Sequence, residues 1–219
     1  MIANLLLLLT AAIWGFGFVA QILGMNYLEP FAFIGARFVL GALSLLPVIW
    51  YLQRQEITAG PGIGYLIYAS CVLGTILFAA SSFQQVGLLY TTASNAGFIT
   101  GMYMVFVPIF GLMLGMATGL VTWLGCIVAA TGLFMLGVND RYEIGYGDLL
   151  QLAGAGIWAA HILAIDHFTK YAPGVQLACG QFVVCAALGA IVSMVFAGET
   201  TTWPQLVAAV PTLIYAGII

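Results

Sequence analysis

The sequence predicts an all-α polytopic membrane protein built from inverted five-helix repeats. Its composition is 63% hydrophobic and only 5% charged, whereas a soluble domain carries about 25% charged residues. Lipid must therefore be the solvent for most of its surface. The apolar runs are continuous rather than alternating, which favours helices over a barrel. Residues 5–43 also align without gaps on residues 149–187, at an offset of 144.

Seven apolar segments have the length of about 20 residues that a membrane-spanning helix needs, and an eighth begins near the end of the chain. The first segment has no Lys or Arg before it. It is also longer than the 7–15-residue core of a signal peptide, so we interpret it as a span. The predicted spans are 4–24, 31–52, 65–86, 92–114, 120–138, 148–168, 176–197 and 206 onward.

Turn-forming and polar residues separate these spans. Two of the connections are tight, and a proline at position 108 predicts a kink within the fourth span. No connection is long enough to form a soluble domain. The separating segments are 29–30, 53–62, 88–92, 116–119, 139–148, 170–174 and 198–204.

The repeat indicates how the spans are organised. Eleven of its 39 aligned positions are identical, including the aromatic pairs Trp14 and Trp158, Tyr27 and Tyr171, and Phe38 and Phe182. Each unit holds five spans, and because five is odd the second unit enters the membrane from the opposite side. We assign residues 1–140 to the first repeat and 147–219 to the second. The run LIYA at 66–69 recurs at 213–216, so we expect a truncated second unit, with about seven and a half of ten helices present.

Basic residues in the connections give the orientation. With the N-terminus in the cytoplasm, Arg54 and Lys170 are cytoplasmic and Arg141 is outside. The prediction is therefore a multi-pass protein of the inner cell membrane with a cytoplasmic N-terminus.

Charge and cysteine content exclude several classes of function. The net charge is −3 and there is no basic run, so nucleic acid is not a predicted partner. The four cysteines form no CxxC pair and lie in apolar segments, so we interpret them as small buried apolar residues. Neither a metal nor a cofactor is predicted.

Several sequence motifs carry a resemblance to a known family. They are AAIWGFGFVA (11–20), FIGARFVLGAL (33–43), TTASNAGFITGMYMVFVPIFGLMLG (91–115), WLGCIVAATGLFML (123–136) and GDLLQLAGAGIWAAHILAID (147–166). In order and spacing the chain resembles the drug/metabolite transporter superfamily, in particular its EamA-type members. The resemblance implies ten helices in two inverted repeats, cytoplasmic termini, and export or exchange of small metabolites. One departure is Met116-Ala117-Thr118 after Gly115, where many members carry an acidic–basic pair.

A transporter site is expected near the bilayer midplane, between the repeats. Trp14 and Trp158 lie at matching positions near the centres of the first and sixth spans. They could form aromatic walls for an amphipathic or cationic solute. The alternative is that both pack between helices beside small residues.

Three further candidates come from polar residues within spans. Arg37 is costly in a membrane, about 2.5–3.5 kcal/mol at a helix centre, so it is either a partner for an anionic group or a side chain that snorkels to the interface. Its repeat mate is Gln181. His161 replaces Gly17 of the first repeat. It could relay protons or form a neutral interhelical hydrogen bond.

Asn95 belongs to a polar component of the third and fourth spans that could line a cavity or join helices. The other members of that component are Ser81, Ser82, Gln84, Gln85 and Thr100.

Together these features predict a secondary transporter that works by alternating access. We expect it to export a small metabolite, an amino acid-like or a drug-like solute. Two alternatives remain: a membrane-embedded enzyme, for which no clustered catalytic groups or HExxH are present, and a channel or structural subunit. No phosphate-binding GxxxxGK[ST] loop occurs. The expected partners are the solute, the lipid bilayer and, as an open alternative, a second copy of the chain in a homodimer.

Overall fold

The computed structural model describes residues 2–54, 62–137, 145–196 and 201–218, and within these ranges the backbone is helical apart from short connections. The helices are α1 (Ile2–Gly24), α2 (Pro30–Arg54), α3 (Ile63–Gly87), α4 (Ala93–Gly101), α5 (Tyr103–Met113), α6 (Leu120–Gly137), α7 (Tyr146–Thr169), α8 (Gly174–Phe196) and α9 (Trp203–Ile218). Five of the described segments are long and apolar enough to cross a membrane: α2, α3, α4 with α5, α7 and α8. The predicted all-α polytopic membrane fold is confirmed. Arg141, which served the orientation argument, lies outside the described residues.

The fourth span is divided into α4 and α5 at Met102. Pro108 lies inside α5 and cannot donate a hydrogen bond to the carbonyl of Met104, four residues earlier. The Cys126 thiol on α6 instead donates to that carbonyl, with Sγ 3.4 Å from the oxygen. A side chain of the neighbouring helix thus compensates for the bond that proline removes.

Carboxylates stabilise the starts of two helices. Glu29 precedes α2 and accepts hydrogen bonds from the backbone amides of Phe31 and Ala32, at 3.1 and 2.7 Å. At the start of α7, Asp148 accepts from the Gly145 amide at 3.0 Å and from the Thr91 hydroxyl at 2.6 Å. A negative charge is favourable at a helix N-terminus, where amide groups lack intrahelical partners.

Close contact between α2 and α8 forms the centre of the bundle. A Cβ added at Gly189 would lie 2.8 Å from the backbone nitrogen of Gly35, so the two helix backbones touch there. Six residues further along α2, Gly41 faces Phe182 of α8, which makes the helices antiparallel. The rings of Phe38 and Phe182 lie 5.3 Å apart. Phe38 and Phe182, which occupy the same position in the two repeats, therefore meet each other.

The other helices surround this pair. Helix α3 packs on α7 and α8, and α9 packs on α1 and α2. Helices α4 and α5 lie between α7 and α6, and α4 also contacts α1. Many outward side chains are large and apolar, with Met194 85% and Val121 83% exposed, as a lipid-facing surface requires. One cysteine prediction is wrong: Cys71 is on this exposed surface, whereas Cys126, Cys179 and Cys185 are buried as expected.

Candidate functional site

A set of polar side chains is buried inside the apolar bundle. Burying polar groups is unfavourable unless they find hydrogen-bond partners, so each member needs a structural or functional reason. The set comprises Gln21, Arg37, Ser70, Ser81, Gln84, Gln85, Thr100, Gln151, His161 and Gln181.

Gln84 of α3 is the centre of one hydrogen-bonded group. Its side-chain oxygen accepts from the indole nitrogen of Trp158 on α7 at 2.9 Å. Its amide nitrogen lies 3.4 Å from the side-chain oxygen of Gln21 on α1. Its backbone carbonyl accepts from the Gln151 amide at 2.9 Å, and Gln151 in turn accepts from the Thr100 hydroxyl at 3.3 Å. These contacts connect α1, α3, α4 and α7 through side chains.

His161 and Gln181 form a second group directly beside the first. His161 Nε2 lies 2.8 Å from the side-chain oxygen of Gln181, and the two residues are 4% and 6% exposed. Because an amide oxygen only accepts, this contact requires a proton on Nε2. The imidazole also meets the Trp158 indole edge to face, at 5.7 Å between ring centroids. The structure thus brings together three of the predicted residues: Trp158 and His161 on α7, and Gln181 on α8.

Arg37 is buried on α2, with only 7% of its surface exposed. Its guanidinium carbon lies 4.8 Å from the centre of the Phe38 ring, and Nε has no hydrogen-bond partner within the described residues. The position is about 10 Å along the helix from its start, at 1.5 Å per residue. Such burial argues against the alternative of snorkelling to the interface.

The carboxylates in the described ranges are engaged elsewhere and do not pair with Arg37. Glu29 and Asp148 bind helix N-termini. Asp166 forms a 2.7 Å ion pair with Lys170 on the exposed surface. Within the same ranges, therefore, the charge of Arg37 has no opposite charge in contact.

Trp14 and Asn95 are not part of either hydrogen-bonded group. The Trp14 side chain is 60% exposed, unlike its repeat mate Trp158. Asn95 is partly buried in the first turn of α4, where its backbone amide donates to Thr92 Oγ1 at 3.2 Å.

Sequence reasoning missed two members of the network, Gln21 and Gln151, and singled out Gln84 only as a polar component. A usable signal was present. Gln151 precedes Trp158 by seven residues, which places both on one face of a helix. In the repeat alignment each missed glutamine is aligned with an apolar residue of the other repeat. A glutamine inside a span needs a hydrogen-bond partner on another helix.

Two side chains next to the network are buried without hydrogen-bond partners in the described part of the chain. They are Ser81, through its hydroxyl, and Gln85, through both atoms of its amide. Buried polar atoms in native proteins usually find protein or water partners. These atoms therefore offer polar contacts to a water or solute molecule.

A separate cavity of about 500 Å³ opens between α5 and α7. Its lining is apolar except for His167, and it contains none of the predicted site residues. It offers few groups that could orient a polar solute. Its lining residues are Phe110, Met113, Leu114, Ala160, Leu163, Ala164, His167 and Phe168.

Comparisons with known proteins agree with this architecture. Residues 1–138 match the model of the EamA-like transporter family. An uncharacterized transporter of Archaeoglobus fulgidus is 31% identical in an alignment 215 residues long that covers 91% of this chain. A second from the same organism is 28% identical and its alignment covers 99% of this chain. The chain spans 61% of the length of the first relative and 75% of the second.

A protein of known crystal structure has a similar fold, with a TM-score of 0.63 and 20% identity over 95% of this chain and 74% of that one. At this identity the likeness concerns the fold alone. The family match covers more than half of the chain, and its resembling motifs and helical architecture agree with it. The chain belongs to the EamA-like transporter family.

Proposed function

We propose that this protein is a secondary transporter that exports a small metabolite, an amino acid-like or a drug-like solute across the inner cell membrane by alternating access. The observation that carries the proposal is the polar network buried within the apolar bundle, from Gln21 through Gln84 and Trp158 to His161 and Gln181. Polar groups inside spanning helices commonly mark solute and ion pathways. The N-terminus lies in the cytoplasm in this proposal.

The two sequence repeats, 1–140 and 147–219, are the units that move against each other. Helix packing supports this assignment. The contacts of α3 with α7 and α8 correspond, under exchange of the repeats, to those of α9 with α1 and α2. The meeting of Phe38 and Phe182 at 5.3 Å is what a two-fold axis through α2 and α8 requires. Transporters with inverted repeats bind solutes near such an axis at the midplane.

The predicted residues take distinct roles at this site. Trp14 and Trp158 form aromatic walls, Arg37 and Gln181 supply polar contacts, and Asn95 contributes from the first turn of α4. His161 couples transport to protons, a role that histidine side chains within spanning helices can take in proton relays.

The network also suits a structure that must open and close. Interhelical hydrogen bonds in membrane proteins contribute only about 0.6 kcal/mol on average, and at most about 1.7 kcal/mol. The contact of Gln84 with Gln21, at 3.4 Å, is the longest of those around Gln84. Breaking such bonds during each cycle is energetically easy, and a solute with its own polar groups could replace them.

Solute counterflow in proteoliposomes tests this function. Full-length protein is reconstituted, loaded with unlabelled solute from a metabolite library, and supplied with the same labelled solute outside. Transient accumulation that saturates with concentration is the expected result. Flux that rises linearly without counterflow would indicate a channel, and recovery of a chemically altered solute would indicate an enzyme.

Proton coupling is tested separately with His161→Ala. We expect this variant to lose the pH dependence of transport while retaining counterflow. His167→Ala is the matched control, because His167 lies on the same helix but is exposed. An unchanged pH profile in His161→Ala would refute the coupling role.

A further inference from the structure

Two neighbouring glutamines of α3 differ completely in their contacts. Gln84 uses its whole side-chain amide, since the oxygen accepts from Trp158 and the nitrogen donates to Gln21. Gln85 is 0% exposed, yet neither its amide oxygen nor its amide nitrogen has a hydrogen-bond partner within the described residues. A buried amide without partners is unfavourable. The hydrogen-bonded network therefore gives no reason for a glutamine at this position.

Ser81 lies four residues before Gln85 and has the same property. Its hydroxyl is buried and has no partner in the described part of the chain. Serine hydroxyls inside helices often donate to the carbonyl four residues earlier, and Ser82 does so, to Phe78 at 2.7 Å. Residues four apart lie on one face of a helix. Ser81 and Gln85, which we call the polar pair, thus place three unpartnered polar atoms on one face of α3.

Farther back along α3, the same helix face packs tightly on α8. Gly74 precedes Ser81 by seven residues and so shares its face. A Cβ added at Gly74 would lie 2.8 Å from the carbonyl oxygen of Gln181. Leu77 lies in a buried cluster with Cys185 of α8. The face of α3 that meets α8, and with it the second repeat, therefore changes from close packing at Gly74 to unpartnered polar atoms near its end.

We propose that the polar pair is a hydrogen-bonding site for an uncharged polar group of the solute, such as a carboxamide. The site opens where α3 and α8 separate at the end of the bundle that holds the last turns of α3. In this structure the helices are closed over it, since both residues are 0% exposed. Its role rests on the proposed transporter function and adds a solute group and the residues that select it.

The chemistry of the polar pair selects an uncharged group. The Gln85 amide offers both a donor and an acceptor, and the Ser81 hydroxyl can act as either. A carboxamide presents the complementary donor and acceptor. Helix α3 contains no charged residue, and the Arg37 guanidinium lies against Phe38 on α2. A charged group at the polar pair would therefore be buried without an opposite charge.

The polar pair also favours opening at this end of the bundle. The closed arrangement leaves its three atoms without hydrogen bonds, which is unfavourable for buried polar groups. Separation of α3 from α8 lets water or a solute supply the missing hydrogen bonds. The closed state is thus destabilised by the same atoms that bind the solute in the open state.

The first test compares the stability of Gln85→Met and Gln84→Met in full-length protein. Methionine has a similar length to glutamine but no amide. Gln85→Met removes two unsatisfied polar atoms, so we expect its Tm to exceed that of the parent protein. Gln84→Met removes hydrogen bonds to Trp158 and Gln21 and should lower the Tm. A lowered Tm in Gln85→Met would assign Gln85 a structural partner and overturn the proposal.

The second test measures opening through Gln85→Cys. The charged, membrane-impermeant thiol reagent MTSET is added to intact cells and to inverted membrane vesicles, and labelling of the parent chain is subtracted. Ala69→Cys is the matched control, because Ala69 is also on α3 and 0% exposed but packs with Leu177 of α8.

We expect labelling of Gln85→Cys in intact cells, because α3 ends outside when the N-terminus is cytoplasmic. It should be at least about tenfold faster than labelling of Ala69→Cys there, since an open state populated at about 0.1–10% is sufficient for reaction. Equal rates at the two positions, or no labelling of Gln85→Cys in either preparation, would overturn the proposal.

The third test examines the solute group with benzamide and acetophenone. The two probes have similar shapes, but acetophenone has a methyl group in place of the amide nitrogen and cannot donate a hydrogen bond. By thermal shift, benzamide should bind about 2- to 10-fold more tightly, the range for one hydrogen bond. Gln85→Met should abolish this difference. Equal binding of the two probes to the parent protein, or a difference that survives in Gln85→Met, would overturn the proposal.

These outcomes are separable from those of the transporter function. Counterflow of a solute without labelling of Gln85→Cys in either preparation would retain the transporter and refute the site at the polar pair. Labelling of Gln85→Cys and preference for benzamide, without flux of any solute, would retain the site and refute transport. Absence of labelling, preference and flux would refute both.

Discussion

Substitution of Gly189 by alanine probes the contact on which the bundle is centred. A Cβ there would lie 2.8 Å from the nitrogen and 3.0 Å from the Cα of Gly35, and 3.1 Å from the Phe31 carbonyl oxygen. All three are backbone atoms, so no side-chain rotation can relieve the clash, and α2 and α8 must separate. Overpacking of this kind costs about 1–3 kcal/mol.

The matched control is Gly125→Ala on α6. A Cβ at Gly125 meets nothing within 4 Å, and alanine is favoured over glycine in a helix by about 1 kcal/mol. Gly189→Ala should lower the free energy of unfolding by about 1–3 kcal/mol, and Gly125→Ala should raise it by about 1 kcal/mol. The two variants should therefore differ by about 2–4 kcal/mol in free energy of unfolding.

Reversible unfolding by SDS titration in mixed micelles, followed by circular dichroism, measures this difference. The free energy of unfolding of Gly35→Ala should lie between those of the two variants. The atom nearest to a Cβ at Gly35 is the Ala190 backbone nitrogen on α8, 3.3 Å away. Equal stability of the Gly189 and Gly125 variants would refute the close approach of α2 and α8.

Three further predictions concern single interactions and use the same unfolding measurement. Trp158→Phe keeps an aromatic ring but leaves the buried Gln84 side-chain oxygen without its 2.9 Å donor. We expect the free energy of unfolding to fall by about 1–3 kcal/mol. An unchanged free energy of unfolding would show that this hydrogen bond does not contribute to stability. Glu29→Ala removes the carboxylate that accepts from two amides at the start of α2 and should cost about 1 kcal/mol, whereas retention of full stability would contradict the capping role. Gly115→Ala should lower the free energy of unfolding by about 1–2 kcal/mol, because Gly115 has a φ of 78°, which an alanine side chain disfavours. Gly119→Ala is the control and should not show this loss, because a Cβ there meets no neighbour and φ is not positive.

The predicted spans agree with the helix bounds because a bilayer imposes a single length scale on apolar sequence. Continuous apolar runs and turn residues such as Glu29-Pro30 were sufficient to place most helices to within a few residues. The interruption of the fourth span at Met102 was not predicted, because Met102 carries no breaking signal of its own. Pro108 remains inside α5, and the Cys126 thiol from another helix satisfies the freed carbonyl.

The candidate site was predictable only in part. Trp158, His161 and Gln181 were selected from the repeat alone, and they lie together. Trp14 was selected by the same symmetry, yet its side chain is exposed rather than hydrogen-bonded. The identity of two residues at matching positions does not give them matching neighbours, since each neighbour comes from a different part of the chain.

By itself, the sequence determined the solvent, the secondary structure and the duplication, because hydropathy, turn chemistry and repeat identity are local properties of the chain. Tertiary structure decided which polar side chains meet. Gln84 and Trp158 are 74 residues apart in sequence yet share a hydrogen bond. Among the described residues, the packing of α2 likewise brings no carboxylate into contact with Arg37. The physical reason is that lipid stabilises an apolar side chain at any position along a span, whereas a buried polar group is stabilised only by the specific partner that packing brings to it.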